Sequence, residues 1–562
     1  MPHRPDGLRA PNSLRPVGAT CWGVEVTVLE RSVLQPGRAA GARAALARPD
    51  ALEHVLVAVA ATVWLLVLTP RSGGFHEPST AVAAVGTLPA LVVTKPWLQV
   101  SRSLLLLTGA AAAGAALSLT TSRAGWQQAD SPAAQLLGLL ALVLTVAYAR
   151  TPARRTAVAV VLLTAIGLQF VPAVKAWQGS GDPDHVMVGT FYWHNQLGIW
   201  MAGLGLLATA LGVAGTGRLR VAALCLAPFA DACVLLSTSR TSLGLLIVGQ
   251  LALLAVIPGC TARRWALCRW ALVPVTTVAL FLVLTSSLFF DHAGSGLSAF
   301  QGSAAAGSVA GNRGTESLAS NGGDRGRWTG AALAGWLEAP VTGHGFGSFR
   351  YTEGDHLPAT SLQSAFVHDG YAEALTSGGI VFGLPLLAVS LLLAAATIRG
   401  FLHALRRETP GRALLAGAAV TTGALLVHTG LDFDWHYPSL VVLIGVVGGL
   451  LIRPTGRPAP APPVIAGLFA VVAVIVTGSL VEHHGRQAIA AGGSAQQLLD
   501  VRLPFADDPR LDAAALRACV HDGRLVVPGA TARRAIAASA RAASLDKELA
   551  LLRSVVGQLV DG

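Results

Sequence analysis

The chain has 562 residues, of which 53% are hydrophobic and only 13% charged, with a mean hydropathy of +0.57. Soluble domains carry about 25% charged residues, so this composition cannot supply the polar skin of a soluble protein; it is that of an integral membrane protein. Lys plus Arg exceed Asp plus Glu by 41 to 30, a net charge of +11, and the placement of those charges decides whether nucleic acid is a partner.

In chain order, residues 1–50 are rich in Arg and Pro and lack the apolar core of a cleaved signal peptide. They read as a disordered cytoplasmic tail. A bilayer-spanning helix needs about 20 apolar residues. Thirteen apolar runs follow: 51–69, 79–94, 104–120, 133–149, 156–173, 195–214, 219–237, 242–257, 269–289, 378–398, 411–430, 437–453 and 462–481. The second and eighth are short. The expected fold is an all-α polytopic membrane protein of 12–13 transmembrane helices over residues 51–481.

Basic residues in short loops orient such a chain. With the N-terminus inside, the inner loops hold sixteen Lys and Arg residues, from Lys95 to Arg457, against four in the short outer loops: Arg71, Arg123, Lys175 and Arg240. The positive charge is therefore a topology signal. The expected partner is the lipid bilayer, with no nucleic acid. The longest loop, 290–377, then lies outside. Its first part, His292 to Asn321, is rich in Gly, Ser and Ala and reads as flexible; its second part, Arg325 to Ser377, carries Trp, Phe, Tyr and His and reads as ordered. The Ala-rich tail 482–562 also lies outside, with helical spacing from Ala532 to Val560. The six cysteines form no CxxC pair and read as inert core thiols.

The unusual polar clusters all fall on the outer face. His194 and Asn195 begin the sixth run, as ligand contacts or as a cap beside an aromatic belt. Ser237-Thr-Ser-Arg-Thr-Ser242 separates two apolar runs, and the Arg240 guanidinium among hydroxyls suits a phosphate. Arg325 and Arg327 are candidates for a second phosphate or a sugar hydroxyl, and Gly343-His-Gly-Phe-Gly347 permits tight turns. His368 stands at the loop-to-membrane boundary, with Asp369 or Glu373 as candidates to orient its ring and Tyr371 close by. Asp432 and Asp434 resemble the acidic pair of metal-using sugar transferases, which His428 and His436 could complete; the alternative, followed here, is a polar cluster that holds Arg side chains and orders the outer rim. A transporter would place polar groups at mid-membrane, where Asp231 is the clearest case.

The order, spacing and sidedness of Trp193-His-Asn-Gln, Ser-Thr-Ser-Arg240, the Gly-His-Gly-Phe-Gly loop and Val-His368-Asp-Gly-Tyr resemble the O-antigen ligase / O-antigen polymerase superfamily over roughly residues 130 to 450. The resemblance implies a glycosyltransferase C-like fold in a plasma membrane, with the active site on the extracytoplasmic side. It implies a metal-independent, inverting glycosyltransferase without a cofactor. The implied donor is a polyprenyl-pyrophosphate-linked glycan; the acceptor is a lipid, a glycan or a protein. By motif, Arg240 carries over as the pyrophosphate contact, with Arg325 or Arg327 as its partner, and His368 as the base. His194, Asn195, Ser239, Tyr371, Asp432 and Asp434 complete the expected substrate-binding set, with no metal. The family often has Asn where Asp369 stands. A polymerase of lipid-linked repeats shares this chemistry. A flippase and a non-catalytic envelope-assembly scaffold are the alternatives of other classes.

Overall fold

A computed structural model describes residues 49–561 apart from 69–72, 75–77, 123, 127, 180–185, 257–259, 285–317, 358–363, 407–410, 456–457, 504–507, 522 and 541–546. The expected N-terminal tail up to residue 48 and most of the Gly/Ser/Ala-rich part of the long loop lie outside the described residues. The chain divides into Met1–Leu52 and Glu53–Gly562; the described residues of the first are those that open α1.

The first half comprises α1 (Pro49–Val63, prolonged by a π turn to Leu68), α2 (Ser79–Thr94), the short α3 (Pro96–Gln99), α4 (Arg102–Thr121), α5 (Asp130–Tyr148), α6 (Pro152–Gln178), α7 (His194–Ala214), α8 (Gly217–Leu236), α9 (Arg240–Ala255) and α10 (Cys260–Leu284). Then come α11 (Leu318–Glu338), α12 (Phe349–His356), α13 (Gly370–Arg406), α14 (Arg412–Thr429), α15 (Pro438–Gly449) and α16 (Ala461–Ala491). The tail holds α17 (Ala495–Asp500), α18 (Pro509–Arg517), the hairpin β1 (Val520–His521) and β2 (Arg524–Leu525), α19 (Gly529–Ala538) and α20 (Lys547–Asp561).

Each of the thirteen apolar runs coincides with an apolar helix. Ten are long and apolar enough to cross a membrane, and α2, α9 and α15 are shorter. The run 437–453 reads as a full span, yet α15 has only 12 residues. Pro438 opens it, as a residue without an N–H does at a first helical turn. All of its residues are buried within the protein, so its length need not match the bilayer. Caps sharpen other starts: Ser101 Oγ accepts from Leu104 N and Thr151 Oγ1 from Arg154 N, each satisfying a donor that the helix leaves open.

Burial sorts the helices. The apolar windows of α5 and α7 are 100% and 94% buried, against 17% for α1 and 11% for α10. Helices apolar on every face belong in the interior of a large apolar assembly; α5, α7 and α15 form that centre, while α1 and α10 present their sides outward.

The bundle has two chemically distinct ends. At one, Arg150 and Arg154 pair with Glu53, Arg102 donates to Pro458 O and Arg269 to Val213 O. At the other lie the polar clusters singled out above. There α13 is broken at Gly379, which adopts φ 60°, ψ −166°; a Cβ at this position would lie 2.1 Å from Val341 O. The carbonyls freed by the break are taken up by the Gly343–Gly347 loop, through His344 N to Thr376 O and Gly345 N to Ser377 O, both 2.9 Å. The close approach that these glycines allow is therefore to α13.

The tail sits at the same end. Gly478 of α16 packs on Ala129 at the start of α5, and α16 continues past residue 481 into a small helical unit cored by Leu498, Leu511, Leu516, Leu549 and Val556. Arg510, held in place by Asp508 of its own helix cap (Nη2 to Oδ2, 2.9 Å), fastens that unit to α16 by reaching Glu482 (Nη2 to Oε2, 3.1 Å).

Candidate functional site

The site is assembled from four connections. The loop between α14 and α15 carries Asp432 and Asp434, the start of α7 carries His194, Asn195 and Gln196, the α8–α9 turn carries Ser237 to Ser242, and the segment before α13 carries His368. Nothing local in the sequence brings them together; their helices all finish at the same end.

Asp432 is the hub. It is fully buried, and its Oδ1 lies 3.0 Å from His368 Nδ1 and accepts from Phe433 N at 2.9 Å. Its Oδ2 accepts from Asn195 Nδ2 at 2.9 Å and lies 3.5 Å from an Arg325 nitrogen. Burial alone would raise this carboxyl. The hydrogen bond and charge of His368, together with the Arg325 guanidinium, outweigh burial and hold Asp432 well below the usual carboxylate range. Arg325 also donates to Leu431 O. An ionised Asp432 accepts the Nδ1 hydrogen of His368, which leaves Nε2 as the basic nitrogen. No hydrogen bond reaches that nitrogen among the described residues. The ring is stacked against Trp328 (centroids 5.0 Å apart, 26° between planes) and edge-on to Phe433 at 5.0 Å. His368 itself has φ 57°, a left-handed conformation unusual for a side chain of this size, which turns the imidazole toward Asp432 just before Asp369 caps α13.

A second carboxylate works one layer deeper. Asp434 Oδ2 lies 2.7 Å from His428 Nδ1, and its Oδ1 accepts from Gln196 at 3.4 Å. His428 Nε2 is 3.5 Å from Ser242 Oγ, which meets Ser239 Oγ at 2.8 Å and donates to Asn195 O at 3.3 Å. Ser239 is the N-cap of α9 and Arg240 its first residue. The turn that bears Arg240 is thus joined, through Ser242, Asn195 and Asp432, to His368. Contact this close needs a bare backbone on α7: a Cβ at Gly198 would meet Ser237 Oγ, Ser239 Cβ and Ser242 Oγ, each at 2.9 Å. His194 Nδ1 lies 2.8 Å from Ser237 O and so holds the same turn.

The remaining expected residues fall elsewhere. Arg327 is paired with Asp324 on α11 and is 54% exposed in its side chain, outside this network. Tyr371 donates its hydroxyl to Leu426 O at 2.8 Å. Asp369 and Glu373, both candidates to orient His368, do other work. Asp369 caps α13 by accepting from Tyr371 N and Ala372 N, and burial raises its carboxyl despite those bonds. Glu373 lies 2.8 Å from His436 Nε2. Helix geometry explains the correction: a residue at the cap or in the first turn points along or into α13, whereas the α14–α15 loop passes over the imidazole. Burial lowers His436, but the Glu373 charge and hydrogen bond outweigh it and the ring is raised. His428 and His436 are thereby each committed to a different carboxylate. No group of three or more His, Cys, Asp or Glu is placed to hold a metal among the described residues.

Sequence reasoning missed the parts played by Gln196, Gly198 and Phe433. Each is an ordinary residue for its helix or loop, and only the tertiary crossing gives it a partner. Trp328 directly follows Arg327, but its stacking on His368 spans two elements distant in sequence.

Fold and site together define a multi-pass, all-α membrane protein with a buried histidine–carboxylate network at one end of its helix bundle. Compared with known proteins, the chain matches no family model and no curated sequence.

Proposed function

We propose that this protein transfers a glycan from a polyprenyl-pyrophosphate carrier to an acceptor hydroxyl at the outer face of the membrane. The observation that carries the reading is the His368–Asp432 pair, an imidazole with one nitrogen fixed by a buried carboxylate and the other without a hydrogen bond among the described residues. In this reading Nε2 removes the acceptor's hydroxyl proton as its oxygen attacks the anomeric carbon. The bond from that carbon to the pyrophosphate oxygen breaks on the opposite face, so the configuration inverts. The departing diphosphate gains negative charge, and Arg240 at the start of α9 neutralises it, helped by the positive end of that helix. General-base help is worth about 10²- to 10⁴-fold, and the activated leaving group supplies the driving force without a nucleotide.

The basic end of the bundle, on the topology signal of the loops, is the cytoplasmic one, and the site lies at the other. Arg325 serves here by holding Asp432 ionised. Arg327 is left for substrate contact, if its pair with Asp324 opens. Purified protein incubated with a lipid-linked glycan and candidate acceptors, followed by mass analysis, tests the reading. His368→Ala and Arg240→Ala are each expected to abolish transfer with membrane insertion intact, and near-normal transfer by His368→Ala removes it from the mechanism. Products of one added glycan indicate a ligase, and lengthening chains on the carrier indicate a polymerase.

A further inference from the structure

The long loop carries an apolar surface that the site does not use. Its helix α11 has two unlike faces. Ala331, Ala332 and Gly335 are buried within the protein, where Thr376 Oγ1 donates to Ala332 O at 2.6 Å and His344 Nε2 lies 2.8 Å from Gly335 O. The outward face changes character along its length. Near its start it bears Arg327, paired with Asp324. Leu333 and Leu337 follow, one turn apart, and both are exposed, Leu337 by 70%. Val341, in the turn after the helix, is exposed too. The carboxylate beside them, Glu338, turns toward His356 at 3.4 Å and His344 at 3.9 Å.

Hydrogen bonds fix the level of this stripe. Ile380 N donates to Pro340 O at 2.9 Å and Val381 N to Val341 O at 3.2 Å, so Val341 stands beside the opening of the apolar run 378–398 of α13. Ser118 Oγ donates to Thr342 O at 2.9 Å, which brings the end of α4 to the same place. Leu117 on α4 and Ile380 and Leu384 on α13 are exposed there, and both helices are long and apolar enough to cross a membrane. Leu333, Leu337 and Val341 therefore continue the apolar surface that two spans turn outward. Trp336 Nε1 donates to Pro340 O at 3.1 Å, which holds an indole at this rim, the level at which such rings gather in membrane proteins.

We infer that the second half of α11 is an interfacial anchor, its Leu333, Leu337 and Val341 side chains inserted among the lipid chains of the leaflet at the site's end of the bundle. Single exposed apolar residues need no partner, but a patch shared by three elements does. Its continuity with the outward faces of α4 and α13 selects lipid. A helix of this kind sits about 5–10 Å into the boundary between headgroups and chains. From Trp328, stacked on His368, to Leu337 is about 14 Å of helix at about 1.5 Å per residue. The anchor thus sets how far above the lipid chains the His368 network stands. This anchoring is independent of the proposed glycan transfer.

The test is spin labelling of the full-length protein in phospholipid nanodiscs, with its six cysteines replaced by Ala and a single label placed through Leu337→Cys. Relaxation of the label by oxygen, which concentrates in lipid, is compared with relaxation by a water-soluble nickel chelate. Leu391→Cys, at a position 71% exposed on α13, gives the lipid standard, and Arg533→Cys, exposed on α19, the water standard. Leu337→Cys is expected to match the lipid standard, with nickel relaxation below the water standard by about 10-fold or more, as the cost of taking a polar solute into hydrocarbon requires. Nickel relaxation equal to the water standard would put the stripe in solvent, and weak relaxation by both reagents would put it under another part of the chain; either overturns the anchor. Hydroxyl-radical footprinting of the unaltered protein in the same nanodiscs decides even if the cysteine-free background does not fold. Leu333, Leu337 and Val341 should be oxidised about 10-fold less than Leu551, 68% exposed in the terminal unit, and equal oxidation overturns the anchor.

Discussion

Replacing Asp432 by Asn tests the hub with almost no change of shape. The carboxylate accepts from three groups, His368 and Phe433 N at one oxygen and Asn195 at the other, where Arg325 adds an ion pair at 3.5 Å. An amide offers one oxygen and one NH₂, so one side must set donor against donor. With the NH₂ toward His368, Nδ1 becomes the acceptor and Nε2 takes the hydrogen, which removes the base. With the NH₂ toward Asn195, the contacts to Asn195 and Arg325 are lost. Charged hydrogen bonds contribute about 1.5–3 kcal/mol each, and Arg325, 28% exposed in its side chain, can turn to water, so the stability cost is about 2–4 kcal/mol. On the proposed mechanism the rate falls by the worth of the base, about 10²- to 10⁴-fold. Turnover of a labelled lipid-linked glycan at saturating donor, read by mass, gives kcat, and a parallel thermal scan gives stability. Asp432→Asn retaining kcat within threefold of the unaltered protein would refute the reasoning, whatever its stability.

Three further outcomes are expected. Gly198→Val places a side chain where Ser237, Ser239 and Ser242 already stand; overpacking of this kind costs about 1–3 kcal/mol, and transfer should drop at least 10-fold with the protein still inserted, measured by activity per inserted molecule. The His436–Glu373 contribution is fully present below the ordinary histidine value of 6.5 and is lost as pH rises through the elevated folded value. A pH series of thermal scans should therefore show a decline on the alkaline side of 6.5 that His436→Gln flattens. Glu53→Gln removes the carboxylate that pairs with the nearly buried Arg154, a loss of about 3–5 kcal/mol, visible as a lowered melting midpoint with unchanged turnover in the surviving fraction.

The spans were legible because apolar length is a one-dimensional property. Their ends were less so: α13 reads from its apolar run as starting near 378, yet it begins at Gly370, because Asp369 caps it and the Gly379 break is bridged by a distant loop. The polar residues of the network were visible as types out of place in a membrane chain, and so was their common side. Who pairs with whom was not. His368 takes Asp432, 64 positions away, rather than the adjacent Asp369, because the α14–α15 crossing decides the contact and no spacing rule encodes that crossing. The shortness of α15 was hidden for the same reason, since hydropathy cannot tell a helix buried in protein from one bathed in lipid.

The helix α16 has 31 residues, about 46 Å at about 1.5 Å per residue, against a hydrocarbon thickness of about 30 Å. Its prolines stand at its beginning, and Arg510 welds the terminal unit to its far part, so the rod has no joint between lipid and tail. α16 packs along α2, α4 and α5, so the bundle sets its tilt, and its excess of about 16 Å over the hydrocarbon core holds the terminal unit clear of the lipid.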